Sequence, residues 1–268
     1  MAVTRRGYIF GAFVSGVSSV LLVVVALASD SWVVSTATVT GQQAASSIRY
    51  GLFRGELTLR EFVTPNVNTL YMTCVADMNA CAVSCKTDHE SRLQEVRALA
   101  NGSRPTATCI GTTEVDTTNP LDTPPVISFA FYVCLIIGLA IELVLGVAAA
   151  GLAILNATKN PTEPIFGLPG CLWTNVAAAL VGITVMLMFG IYWLTSGLNE
   201  HLAFSFIALG LYTPGPGLGY SYWLLLGACL CHIANVALLQ TRAYLLERDP
   251  PPPIIDVQNH SDGTIFLY

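Results

Sequence analysis

The side chains best able to do chemistry here are cysteines. Of the eight in the chain, Cys74, Cys81, Cys85 and Cys109 lie in one polar stretch, residues 31–125, rich in Thr, Asn and Gly. An even set in such a setting points to disulfides made in an oxidising compartment. A zinc site is the rival reading. The spacing has no paired C-x-x-C and His89 is the one nearby imidazole, so neither a metal nor a cofactor is expected. Four cysteines allow three pairings, and their spacing does not choose among them. The same stretch carries Asn101-Gly102-Ser103, an acceptor for N-linked sugar that is used only on the lumenal side of a membrane.

A second set is polar and lies in apolar surroundings. Glu142 interrupts an otherwise uncharged run. Ionised and unpaired at a bilayer centre it would cost on the order of a few kcal/mol, so it should face other helices with a partner, or be protonated. Counting the rise along each run, His232 and Asn235 fall at a similar depth and Asn175 somewhat nearer the cytoplasm. Contact of Glu142 with Asn175, His232 or Asn235 would make a polar lock between helices. A proton or ion relay is the functional alternative, but it needs several ionisable groups in line, and His232 is the one candidate second member. The chain has no H-E-x-x-H, no G-x-x-x-x-G-K, and no Ser/His/Asp grouping that its topology would assemble, so it is read as non-enzymatic.

The elements that must position these residues follow from composition. With 11% charged and 53% hydrophobic residues and a mean hydropathy of +0.61, the chain is an integral membrane protein rather than a soluble domain. A net charge of −5 argues against nucleic acid as a partner. Residues 7–28 form an uncharged run long enough to cross a hydrocarbon core. Ala26-Leu27-Ala28 after Arg5 and Arg6 resembles a signal-peptide cleavage site, but the run exceeds the usual apolar core of about 7–15 residues, which favours a retained helix. Further spans are expected at 126–155, 169–194 and 220–240, with a short connection at 156–168. Outside the large loop, Arg5, Arg6, Lys159, Arg242 and Arg248 fall on one side, and residues 195–219 carry neither Lys nor Arg. The positive-inside rule then puts both termini in the cytoplasm and both larger loops outside, in a multi-pass protein of the plasma membrane.

Within the large loop, β-branched residues 32–40 favour a strand. A second strand is expected over 48–59, with others at 71–75 and 106–110. Residues 88–100 read as an amphipathic helix with a Thr87/Glu90 capping box and Leu93, Val96 and Leu99 on one face. The expected fold is an all-α membrane four-helix bundle carrying a small disulfide-bonded extracellular β-sheet. Residues 202–211 are apolar but too short to cross. Tyr192, Trp193, Tyr220, Tyr222 and Trp223 suit an interfacial aromatic belt. The tail, 241–268, contains an extended proline spacer, Pro250 to Pro253. Its Phe266 and Tyr268 could add to a PDZ domain as the end of a strand.

Four crossings, Trp32 just after the first helix and the tripeptide Gly51-Leu52-Phe53 together resemble the claudin-like tetraspan superfamily. The fuller string YGLFRGE, Tyr50 to Glu56, is similar to the Tyr-Gly-Leu-Phe-x-Gly-Glu element of the clarins, as are Gly167-Leu168-Pro169-Gly170 before the third helix and a tail ending in an apolar residue then Tyr. Claudins follow Gly-Leu-Trp closely with two cysteines, whereas this chain has Phe53 and no cysteine before Cys74. The clarin resemblance implies a role in organising membrane complexes of sensory or synaptic cells and a link to the actin cortex. Physically, YGLFRGE reads as a structural anchor. Gly51 and Gly55 permit tight backbone geometry, Leu52 and Phe53 can wedge between the sheet and the helix ends, and Arg54 and Glu56 either pair or stay solvated. The expected partners are the lipid bilayer, other membrane proteins in the same or a facing membrane, a PDZ or actin-linked cytoplasmic scaffold, and a second copy of the chain. The alternatives are a paracellular barrier or pore and an auxiliary subunit of an ion channel. The mixed charges Arg49, Arg54, Arg60 and Lys86 with Glu56, Glu61 and Asp77 oppose a strongly selective pore.

Overall fold

In the computed structural model the helices among the described residues are α1 (Ala2–Ala28), α2 (His89–Ala100), α3 (Phe129–Thr158), α4 (Leu168–Thr195), α5 (Leu198–His201) and α6 (Tyr220–Arg248). The structure describes residues 2–39, 45–59, 65–105, 109, 115–116, 120, 124–159, 163–201 and 212–248. α1, α3, α4 and α6 are long and apolar enough to cross a membrane. They form a ring in which α1 packs on α3 and α6, and α4 packs on the same two.

Toward the sheet the buried positions are large and apolar, such as Leu135, Leu139, Val185, Phe189, Trp193 and Leu225. Further along they are mostly small and polar: Glu142, Gly146, Ala149 and Ala153 on α3, Cys171, Asn175, Ala178 and Gly182 on α4, Ala228, Cys229, His232 and Asn235 on α6. Val14, Leu21, Ile137, Val144, Leu187 and Leu230 are exposed. Lipid rewards that arrangement, because apolar side chains gain nothing by leaving it, while small residues allow close helix approach. The bundle is a multi-pass membrane unit. The second span starts at Phe129 rather than 126, since Pro124, Pro125 and a short strand precede it, and the fourth continues past 240 to Arg248.

A seven-stranded antiparallel sheet covers one end of the ring, in the order β8-β5-β4-β3-β2-β1-β9. Its strands are β1 (Val33–Val39), β2 (Ala45–Tyr50), β3 (Arg54–Leu59), β4 (Asn66–Val75), β5 (Ala80–Ser84), β8 (Ile127–Ser128) and β9 (Tyr212–Leu218), while β6 (Arg104–Pro105) and β7 (Val115–Asp116) pair separately. Residues 48–59 are therefore a hairpin rather than one strand. The chain turns at 51–53, where Gly51 N–H donates to the Arg54 carbonyl at 2.7 Å. The helix end also differs from expectation. Asp88, not Thr87, caps α2, its carboxylate accepting from Ser91 N–H at 2.9 Å. That bond holds the Asp88 carboxyl below the usual aspartate range.

β9, sequence YTPGPGL, was not legible as a strand. It pairs with β1 from Val33↔Leu218 to Val39↔Tyr212. Its prolines are tolerated because β9 is an edge strand, where alternate residues need donate to nothing. The expected strand at 106–110 lies almost wholly outside the described residues, as does the apolar segment 202–211.

Candidate functional site

The sheet meets the helices through Trp32 and the start of the YGLFRGE segment. Trp32 is 1% exposed; its indole N–H donates to the Ala26 carbonyl at 2.7 Å, and its ring meets Phe189 edge-on at 5.1 Å. Tyr50 and Leu52 are buried in the same cluster, and burial pushes the Tyr50 phenol up. Gly51 lies so close to α1 that a Cβ there would collide with the Ser29 carbonyl oxygen. The Leu52 carbonyl accepts from Tyr132 O–H of α3 at 2.8 Å. Ser29 Oγ donates to Ser221 Oγ at 2.6 Å, and Gly219 N–H to the Trp32 carbonyl at 2.9 Å. Asn79, in the β4–β5 turn with φ 49°, accepts through Oδ1 from Ala130 N–H at 2.9 Å, at the first turn of α3. That contact had no sequence signal beyond an Asn before a strand.

Within YGLFRGE, Leu52 is buried but Phe53 does not wedge inward and stands 50% exposed at the hairpin tip. Arg54 stays exposed to solvent, and Glu56, itself part exposed, accepts at 2.8 Å from its cross-strand partner Arg49. The guanidinium holds the Glu56 carboxyl below the ordinary glutamate range, and the carboxylate raises Arg49 in turn.

The cysteines pair as Cys74–Cys81 and Cys85–Cys109. The first closes the β4–β5 hairpin between directly opposed residues; the second ties the end of β5 to the chain beyond α2. Both lie against the inner, helix-facing side of the sheet. On the outer side, Val96 and Leu99 of α2 pack on Val75, Ala80 and Ala82, with Leu93 partly buried beside them. A buried polar cluster lies under this helix. Ser84 donates to Glu95, Ser84 Oγ accepts from Lys86 N–H at 3.1 Å, and Glu95 and Lys86 are each 1% exposed. Desolvation raises the Glu95 carboxyl, opposed by the Ser84 bond and the Lys86 charge. Asn101, at the exposed end of α2, is open to solvent.

Inside the bundle a chain of side chains joins all four spans. His232 on α6 meets Ser19 Oγ of α1 through Nε2 at 2.8 Å and Asn175 Oδ1 of α4 through Nδ1 at 3.0 Å. Asn235 Nδ2 donates to the same Asn175 oxygen at 3.0 Å. Asn175 Nδ2 donates to the Cys171 carbonyl at 2.9 Å, and Cys171 Sγ reaches the Ala149 carbonyl of α3 at 3.7 Å. Because Asn175 Oδ1 can only accept, Nδ1 carries the proton in neutral His232 and Nε2 accepts from Ser19. Asn175, His232 and Asn235 are thus joined to one another, whereas the expected bond from Glu142 to one of them is not made. That residue sits toward the sheet, beside Gly182 and Cys229: a Cβ on Gly182 would stand 2.5 Å from Glu142 Oε1 and 2.8 Å from Cys229 Sγ. Glu142 is fully buried, and neither carboxyl oxygen has a hydrogen-bond partner among the described residues. Ser19 was missed because a serine in an apolar run carries no pairing signal.

The aromatic belt is divided. Tyr220 and Trp223 face outward, whereas Trp193 and Tyr222 are buried, and Tyr192 stacks on Phe131 at 4.0 Å. Among the described residues no three His, Cys, Asp or Glu side chains are grouped to hold a metal ion. Phe266 and Tyr268, and the proline spacer before them, lie outside the described residues. Compared with known proteins, the chain matches no family model and no curated protein.

Proposed function

We propose that the chain is a non-enzymatic, clarin-like tetraspan scaffold of the plasma membrane, with its sheet outside the cell and both ends in the cytoplasm. The sheet contacts other membrane proteins in the same or a facing membrane, and the tail connects the assembly to cortical scaffolds, in sensory or synaptic cells. The observation that carries this reading is a cap fastened to its bundle with part of its outer face left open. Trp32, Tyr132 and Ser221 bond across the joint, so contact made at the sheet is passed to the helices. α2 covers the outer face over β4 and β5, while Arg54, Val67, Thr69 and Tyr71 remain exposed.

A paracellular pore is the less supported reading, because a selective path needs charge of one sign, and on this face Arg49 and Glu56 neutralise each other. The test is cross-linking on intact cells followed by co-purification, comparing the native chain with Val67→Asp and Arg54→Glu. The expected result is at least a fivefold loss of co-purifying membrane proteins with surface delivery kept within twofold. A continuous ring at cell junctions with altered transepithelial resistance would replace the scaffold reading with a barrier. Co-purification with one channel and altered current would replace it with an auxiliary subunit.

A further inference from the structure

The acceptor tripeptide Asn101-Gly102-Ser103 is built into the end of α2. The Asn101 N–H completes the last helical turn, donating to the Arg97 carbonyl at 3.1 Å. Gly102, at φ 78°, then reverses the chain. Its N–H donates to the Leu99 carbonyl at 2.9 Å, and the Ser103 N–H to the Ala98 carbonyl at 2.9 Å. These are the two bonds by which a left-handed residue closes a helix, so both backbone donors after Asn101 are taken. Gly102 is buried and Ser103 half-buried, but Asn101 is exposed. Val96 and Leu99 hold the same end of α2 down on Val75, Ala80 and Ala82, and Cys85–Cys109 bridges the chain before α2 to the chain after it.

We propose that Asn101 carries an N-linked oligosaccharide attached before the end of α2 forms, and that the folded cap then shuts the site to the transferase. The inference rests on the reading that places the sheet outside the cell. Sugar transfer needs the tripeptide free of secondary structure, because the enzyme grips the Asn amide and the hydroxyl two residues on together. In the closed turn the Ser103 N–H is bonded back into the helix, so the tripeptide cannot straighten without breaking the end of α2. The order of export permits early transfer. Asn101 precedes Cys109 by eight residues and so enters the lumen before the bridge around it can close. The step joins Asn101 Nδ2 to C1 of an oligosaccharide carried on a lipid pyrophosphate. The bond from C1 to the pyrophosphate oxygen breaks, the lipid pyrophosphate leaves with the electron pair, and the amide proton passes to a base of the transferase. The attached sugar is compatible with the fold, since the exposed side chain alone carries it. It also leaves the open face of the sheet free: Arg92 lies over Tyr71, and Asn101 is about 13 Å further along α2.

The test uses the full chain in two settings. In cells, enzymatic release of N-linked sugar should shift the surface-delivered chain by one glycan, and Asn101→Gln should abolish the shift. In vitro, the chain made without sugar is purified and offered oligosaccharyltransferase with a lipid-linked donor. The bridged, folded chain should accept at least tenfold more slowly than the same chain reduced, alkylated and unfolded. Gly102→Ala keeps the tripeptide but disfavours the left-handed turn, and should raise acceptance by the bridged chain at least threefold. An empty Asn101 in cells, equal acceptance by folded and unfolded chain, or no gain from Gly102→Ala would overturn the inference. Val67→Asn, which completes a second acceptor with Asn68 and Thr69 at an exposed position of β4, separates this from the topology. If it gains sugar while Asn101 stays empty, the inference alone fails. If neither gains sugar, the outside placement of the sheet fails with it.

Discussion

At Glu142 the carboxyl is enclosed by helices and neither oxygen has a partner among the described residues. The depth count placed it level with His232 and Asn235. A count along the run 126–155 sets Glu142 too deep because α3 begins only at Phe129. The residue of α3 that meets His232 is Gly146, one turn further from the sheet on the same face, and Glu142 lies beside Gly182 and Cys229. The mutational expectation changes accordingly. A lock would tolerate Gln better than Leu at 142. An unpartnered buried carboxyl is instead a desolvation cost, so Glu142→Leu should leave the bundle at least as stable as the native chain, within about 1 kcal/mol. Asn175→Leu, which removes an acceptor shared by His232 and Asn235, should cost about 1–3 kcal/mol. Thermal unfolding in detergent, read beside surface delivery, distinguishes the two. Outside the membrane, Glu95 gives a pH prediction. Its carboxyl is raised in the folded state, so the fold holds the proton more tightly than the unfolded chain does. Its contribution is complete below the unfolded glutamate value of about 4.3 and is lost as pH rises through the folded value. Glu95→Gln should flatten this part of the stability–pH curve and stabilise the cap at neutral pH, as followed by thermal unfolding across pH 4 to 8.

The two disulfides act on different lengths of chain. Cys85–Cys109 closes 24 residues and Cys74–Cys81 closes 7. On the chain-entropy estimate these contribute about 3.5 and about 2.4 kcal/mol, so Cys85→Ser should lower stability by about 1 kcal/mol more than Cys81→Ser. Differential scanning of the purified variants checks the order, and equal losses would mean that strain or residual structure outweighs loop length. Legibility varied among the elements for physical reasons. The four spans were readable because hydrocarbon thickness imposes a length and a composition. The helix at 89–100 was readable because its apolar residues keep one face. The break at 51–53 was hidden because a buried turn keeps the apolar content of a strand: Tyr50 and Leu52 both face inward. β9 was hidden because proline and glycine normally mark turns, and only its place at the sheet edge makes them compatible with pairing.

At the scale of the whole molecule the sheet and the bundle hold each other. Trp32, Gly51, Tyr132 and Gly219 lie at their boundary, so the cap and the helix ends are packed as one unit. The polar chain from Ser19 to Cys171 gathers them from inside. This coupling ties topology to cysteine chemistry. Among the described residues Cys134, Cys171, Cys229 and Cys231 are free, all on the membrane helices, and the bridged set is in the cap. Four spans return the chain to the side from which it started, so tags on the first and last residues should be reached by antibody together, and only after permeabilisation. Alkylation of denatured protein without reductant should modify four thiols, and reduction beforehand should raise the number to eight. Mass spectrometry counts both. Eight modified thiols without reductant would mean that the cap never met an oxidising compartment. A tag accessible on intact cells would invert the orientation that charge placement implies.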